Sequence, residues 1–129
     1  MSNAIHHSIS FTSSAERVYS ALTDSAQFTS MSGGAPATLD AREGSEFSCF
    51  GGMIVGRQIE LVPNQRIVQA WRVKGWPAGL YSIARFELVP DGAGTRIEFD
   101  HTGFPPDQQA HLDAGWHANY WEPLRKLLG

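Results

Sequence analysis

The chain has 129 residues, 42% of them hydrophobic and 18% charged, with a net charge of -3 and no run of Lys or Arg. That composition excludes a disordered chain, and the absent basic footprint excludes nucleic acid and an anionic membrane surface as partners. Cys49 is the only cysteine, so no intramolecular disulfide forms and a reducing, cytoplasmic setting is expected.

The opening MSNAIHHSI carries neither a basic nor an apolar signal region, and no stretch approaches the roughly 20 apolar residues of a membrane helix. The length predicts one domain over residues 1–129. Ile5, His7, Ile9 and Phe11 alternate and predict a first strand with one buried face. Ser13 followed by Glu16 reads as a capping box, so a helix with Val18 and Leu22 on its apolar side is expected next. A second short helix is expected after Asp24, around Phe28, ending at Ser32-Gly33-Gly34-Ala35-Pro36.

From Thr38 to His101 the period becomes two. Strands are predicted near Ala37–Ala41, Glu46–Phe50, Val55–Val62, Ile67–Val73, Leu80–Val89 and Thr95–Thr102. Turns fall at Arg42-Glu43-Gly44, Pro63-Asn64-Gln65 and Pro90 to Gly94, and connections this short imply antiparallel pairing. In the last strand Thr95, Ile97, Phe99 and His101 share one face, while Arg96, Glu98 and Asp100 share the other. One side of the sheet is therefore covered and the other wet.

The segment AGWHANYWEPLRKLL, Ala114 to Leu128, predicts a long final helix. With about 100° per residue, Trp116, His117, Tyr120, Trp121, Leu124, Leu127 and Leu128 fall within one broad apolar arc. Pro123 removes one backbone donor and predicts a kink. Strand, helices, many strands and a final helix make an α+β domain, with helices gathered on one face of an antiparallel sheet.

These residues resemble the START-like, helix-grip superfamily (SRPBCC), in the branch named for the activator of the heat-shock-protein-90 ATPase. The resemblance rests on Gly51-Gly52 and Gly56, on ELVPNQRIVQAWR from Glu60, on Gly94-Thr95-Arg96, on HTGFP from His101 and above all on GWHANYWEPLRKLL from Gly115. It implies a curved antiparallel sheet of six to seven strands gripping the C-terminal helix, with one or two short helices after the first strand and an apolar cavity between sheet and helix. Relatives bind lipids, hormones or polyketides, and a few catalyse cyclisation or dehydration. The branch name comes from a co-chaperone.

The first expectation is a module that binds a small apolar or aromatic ligand. Trp71, Phe86, Phe99, Trp116 and Tyr120 would form walls, together with Phe47, Ile59 and Leu124. His101, His117 and Tyr81 would supply polar handles, in keeping with pockets that are mostly apolar with a few placed polar groups. The second is a co-chaperone-like module for a chaperone or other protein partner, with an exposed apolar patch near Trp76. The third is a cyclase- or dehydratase-type enzyme, which needs His101 and His117 close together in the cavity.

Each of these residues also has a plain structural reading: for His117 a buried His with one satisfied hydrogen bond, for His101 a strand-end His half exposed near the loop instead of at the cavity mouth, for Trp71 and Tyr81 a packed core aromatic, and for Trp76 simple packing instead of a lid or an anchor. Arg57, Arg72, Arg85 and Arg96 with Glu60, Glu87 and Glu98 read as a solvated ion-pair ladder, although Arg57 would meet a ligand carboxylate if turned inward. His101, His111 and His117 have no metal-binding spacing, and no phosphate loop, dinucleotide fingerprint or nucleophile elbow is present, so no metal or cofactor is expected. A monomer and a homodimer are both compatible with the sequence.

Overall fold

The computed structural model describes residues 4–128. Strand β1 (Ala4–Phe11) is followed by two short helices, α1 (Ala15–Thr23) and α2 (Ser25–Met31). Five strands come next: β2 (Glu46–Cys49), β3 (Ile54–Val62), β4 (Arg66–Val73), β5 (Ser82–Asp91) and β6 (Gly94–Thr102). They form one curved, fully antiparallel six-stranded sheet in the order β1-β6-β5-β4-β3-β2. The chain closes with α3 (Gln109–Trp116), a π turn (His117–Trp121) and α4 (Glu122–Leu128). Among the described residues no helix is long and apolar enough to cross a membrane.

The inward face of the sheet carries Ile67, Trp71, Phe86, Ile97 and Phe99, all buried against Trp116, Tyr120, Trp121 and Leu124 of the final helical segment. The outward face carries charges. Arg66 bridges Glu60 and Glu87, Arg85 reaches Glu87 at 2.7 Å, and Arg96 pairs with Glu98. Arg57 points outward to Glu46 and to the Gly44 carbonyl, on the face of the sheet away from the final helix.

Two glycines permit close backbone approaches. A Cβ on Gly56 would lie 1.9 Å from the Ala70 carbonyl oxygen and 2.8 Å from the Phe47 ring, and one on Gly94 would lie 2.0 Å from the Phe11 carbonyl oxygen. Both belong to the motifs that carried the resemblance.

Three local expectations need correction. The N-cap of α1 is Ser14, whose hydroxyl accepts from the Arg17 N–H. Ser13, expected there, is buried instead; its hydroxyl donates to the Leu128 carbonyl at 2.6 Å, and its own carbonyl accepts from the Thr95 hydroxyl at 2.9 Å. It ties the end of the last helix to β6. The strand expected over Ala37–Ala41 is a single bridge, Thr38 to Ser48. The Ser25 hydroxyl takes both the N–H and the C=O of Leu39, which draws the chain off the ladder towards α2. The strand expected from Leu80 starts at Ser82, because Leu80 and Tyr81 belong to the loop that Arg72 holds.

Gly94→Ala should destabilise the fold by about 2–3 kcal/mol, since the added methyl collides with backbone rather than with a movable side chain. A urea-unfolding midpoint equal to that of the unaltered chain would show that the β1–β6 approach is looser than described.

Candidate functional site

The final helical segment is attached to the sheet by two indole-to-imidazole hydrogen bonds. The Trp116 indole N–H donates to His101 Nδ1 at 3.0 Å, and the Trp121 indole N–H donates to His7 Nδ1 at 2.8 Å. An indole only donates, so both imidazoles accept at Nδ1 and carry their proton on Nε2. The His101 Nε2–H donates to the Ser82 hydroxyl at 2.6 Å, and Ser82 donates to the Trp71 carbonyl at 3.0 Å. His7 donates to the Asp113 carboxylate of α3 at 2.7 Å.

Trp116 and Trp121 are five residues apart. In an α-helix that spacing turns them about 140° from each other. The π turn, closed by the Glu122 N–H on the His117 carbonyl, brings i and i+5 to one side. The two indoles stack at 5.7 Å and 23°, and both reach the sheet. A π turn thus stands just before Pro123, where the sequence predicted a simple kink.

His101 is fully buried among Trp71, Phe99, Phe104 and Trp116, and burial lowers its pKa to about 3. It is a neutral brace with both ring nitrogens engaged, where the sequence reading placed it at a cavity mouth or half-exposed at a strand end. His117, expected inside the apolar arc, is exposed and lies on the His7 ring at 4.2 Å. The π turn aims Trp116, Tyr120 and Trp121 at the sheet and leaves His117 on the flank. The pair needed for acid–base catalysis is therefore not assembled: one histidine has no free nitrogen and the other faces solvent.

A half-open pocket of about 460 Å³ lies beside this brace. Trp71, Trp116 and Tyr120 form its floor, and Phe50, Met53, Ile54, Val73 and Leu112 its sides. Gln108, His111 and Asn119 bring polar groups to it, and Gly115 lines it without a side chain. The Tyr120 hydroxyl accepts from the Trp71 indole at 3.4 Å, and burial raises its pKa, so it stays protonated. Met53 is 54% exposed at the pocket edge.

Of the eight residues expected from sequence, Trp71, Trp116 and Tyr120 meet at this pocket. Phe86 and Phe99 pack behind Trp116, in the core. Tyr81 is half exposed on the outer side, under the Arg72 guanidinium at 5.6 Å. Of the further wall residues, Ile59 is 49% exposed and turned away, while Phe47 and Leu124 are core. Sequence reasoning missed Phe50, Met53, Gln108, His111, Leu112 and Asn119. The glycine pair Gly51-Gly52 beside Phe50 and Met53 was the one available signal.

Trp76 is buried, edge-on to Trp71 at 5.8 Å. Arg72 donates to the carbonyls of Trp76 and Pro77 at 2.8 Å each and fixes the loop. Of the roles weighed for Trp76, the structure shows packing. Cys49 is buried, and desolvation pushes its thiol up to about 12, so it remains an unreactive thiol.

A family model described as Activator of Hsp90 ATPase homolog 1-like protein matches residues 12–129. The chain belongs to this family. It is 30% identical over 125 residues to Activator of 90 kDa heat shock protein ATPase homolog 2 of Mus musculus, covering 97% of this chain and 38% of that protein. It is 30% identical over 95 residues to Activator of 90 kDa heat shock protein ATPase homolog 1 of Homo sapiens, covering 74% and 28%. The matches thus span 38% and 28% of the lengths of these two relatives.

Among solved structures, an HSP90 activator from Plasmodium falciparum superposes with a TM-score of 0.89 at 23% identity, covering 96% of this chain and 94% of that one. The Aha1 dimer from Colwellia psychrerythraea gives 0.82 at 20%, covering 98% and 96%. These likenesses establish the helix-grip fold.

The His101 brace makes stability depend on pH. The unfolded chain protonates this histidine near 6.5 and the folded chain only near 3, so the unfolded state holds more protons between these values. Stability therefore falls as pH drops from about 6.5, by up to about 1.4 kcal/mol per pH unit from this residue. His101→Gln should flatten the loss of stability between pH 6.5 and 4.5 while lowering stability at pH 8. An unchanged slope in urea titrations would show that other groups carry the acid sensitivity.

Proposed function

We propose that the chain works as one START-like domain that binds a small apolar or aromatic molecule in the tryptophan-floored pocket. The supporting observation is the floor itself. Trp71, Trp116 and Tyr120 are locked from behind by the His101–Ser82 hydrogen bonds and by the Trp71–Tyr120 bond, yet open on one side to a space of about 460 Å³. A pre-formed apolar surface with a few polar groups at its edge costs a ligand little reorganisation. Asn119, His111 and Gln108 would orient the ligand.

Gly115 offers the test. A Cβ there meets only Asn119 Nδ2, at 3.7 Å, so a larger side chain enters the pocket without disturbing the core. The neutral fluorophore N-phenyl-1-naphthylamine should bind the unaltered chain, and Gly115→Leu should weaken it at least about tenfold. The thermal midpoint of the variant should be no lower, because a helical glycine is replaced by a better helix former. Equal binding by the two proteins would remove the pocket as the site.

A second reading follows from family membership. The relatives are activators of the 90 kDa heat shock protein ATPase, and this chain would contribute to such an interaction through its START-like surface. The check is Hsp90 ATPase turnover titrated with the purified chain. A rise that saturates supports a chaperone partner, and a flat titration together with fluorophore binding leaves the ligand reading alone.

A further inference from the structure

The two braces of the final helical segment are alike at the indole and different behind it. His101 donates from Nε2 to the Ser82 hydroxyl inside the core, and burial holds its pKa at about 3. His7 donates from Nε2 to the Asp113 carboxylate, a side chain that is 54% exposed. The His7 ring is itself buried, yet the exposed His117 ring lies on it at 4.2 Å. One brace is sealed and the other is in touch with solvent through its partners.

The surroundings of His7 hold one carboxylate and two further imidazoles. Helix α3 brings Asp113, and the π turn brings His117 and the Trp121 indole. On β6, Phe99 stands opposite, with the neutral His101 diagonally beside it, opposite Ile5. Arg125 of α4 is engaged further along β1, where it reaches the Ser10 carbonyl and covers the Phe11 ring at 5.7 Å. The neighbouring His6 points to the outward face, to Asp100 and Glu98.

An imidazolium donates from both nitrogens, whereas an indole can only donate. A solvent proton added at His7 Nδ1 would set two N–H groups against each other across the 2.8 Å that now separates Nδ1 from the Trp121 indole nitrogen. The bond from Nε2 to Asp113 survives this change and gains charge assistance. The ring therefore stays with Asp113 and the indole leaves. Imidazole is the side chain whose ordinary titration falls between about pH 5 and 8.

Release of Trp121 removes the reason for the π turn. Only Trp116 then has to face the sheet, and a turn that no longer aligns residues five apart is free to tighten to the α-helical spacing. His101 still holds Trp116, so the floor of the pocket keeps its place. The part that follows the turn is α4, of which Glu122, Pro123, Lys126 and Leu127 line a groove against the end of α2.

We infer that the His7–Trp121 bond is a pH-sensitive latch: a proton taken up at His7 Nδ1 frees Trp121 and lets the π turn and α4 move against α2, while the His101–Trp116 bond keeps the pocket floor fixed. The inference is independent of what the pocket binds.

The test is two-dimensional NMR of the 15N-labelled chain, which follows the indole N–H signals of its four tryptophans through a pH titration. Between about pH 7.5 and about pH 5, hydrogen-exchange protection of the Trp121 indole relative to that of Trp116 should fall at least about tenfold, with backbone shifts concentrated after Trp116. His7→Gln, which keeps an acceptor but does not titrate, should abolish the change, and His117→Gln should retain it. Asp113→Asn, at an exposed position, removes the charge that favours the imidazolium and should lower the midpoint by about one pH unit. It also carries the test if His7→Gln fails to fold. A Trp121 signal that holds its protection to about pH 5, equal loss at Trp116 and Trp121, or a midpoint unmoved by Asp113→Asn would overturn the latch. So would a response that survives His7→Gln, or one that disappears in His117→Gln and thus belongs to the other ring.

Discussion

The register of the final helix on the sheet is set by two indole N–H groups, each with one acceptor. Trp116 and Trp121 are buried, and a buried indole N–H without a partner costs about 1–3 kcal/mol. Each finds the Nδ1 of a histidine on a different strand, His101 on β6 and His7 on β1. Both bonds form at once only if residues five apart face the same way, which requires the π turn. Pro123 makes that turn cheap, because it has already removed a donor that the α-helix would have used. A slide of the helix by one residue would break both bonds and leave four buried polar atoms to be re-satisfied.

Polar groups buried in the core are therefore structural, and the pocket is a product of their rigidity. The Trp116 ring is held by His101 at its N–H, stacked on Trp121 and packed against the tilted Phe99 ring. Trp71 is held through its indole by Tyr120 and through its carbonyl by Ser82. With these planes fixed, the space beside Gly115 cannot be closed by a small rotation of an aromatic ring. A fold that grips its helix on one side leaves a hollow on the other wherever the helix lacks a side chain.

The same device faces two ways. Towards the sheet, the π turn aligns tryptophans; on the other side, Ala118, Asn119 and Glu122 line a groove against the end of α2. Arg72 plays a comparable double part at the other end of the pocket. Its guanidinium holds the Trp76 loop by three carbonyls and covers Tyr81, so the loop is pinned although it is rich in glycine.

The fold was written in the sequence because its signals are local. Alternation in Ile5 to Phe11 and Thr95 to His101, turn residues at Pro63-Asn64-Gln65 and Pro90 to Gly94, and the aromatic final helix each follow from backbone period and turn chemistry. Trp71, Trp116 and Tyr120 were legible as pocket residues for the same reason: they are large aromatics on the buried faces of a central strand and the final helix. The remainder depended on contacts between distant segments. A helical wheel assumes 3.6 residues per turn, so it put His117 inside and could not see that the turn before Pro123 would widen and move it to the flank. Strand periodicity gave the face of His101 but not its depth, which Phe104 and Trp116 decide from outside the strand. Ser13 looked like a cap for α1 because the carbonyl it serves, that of Leu128, lies 115 residues away in sequence. Length, period and residue type determined which faces are buried; which polar atom meets which, and where a hollow survives between them, was decided only when helix and sheet came together.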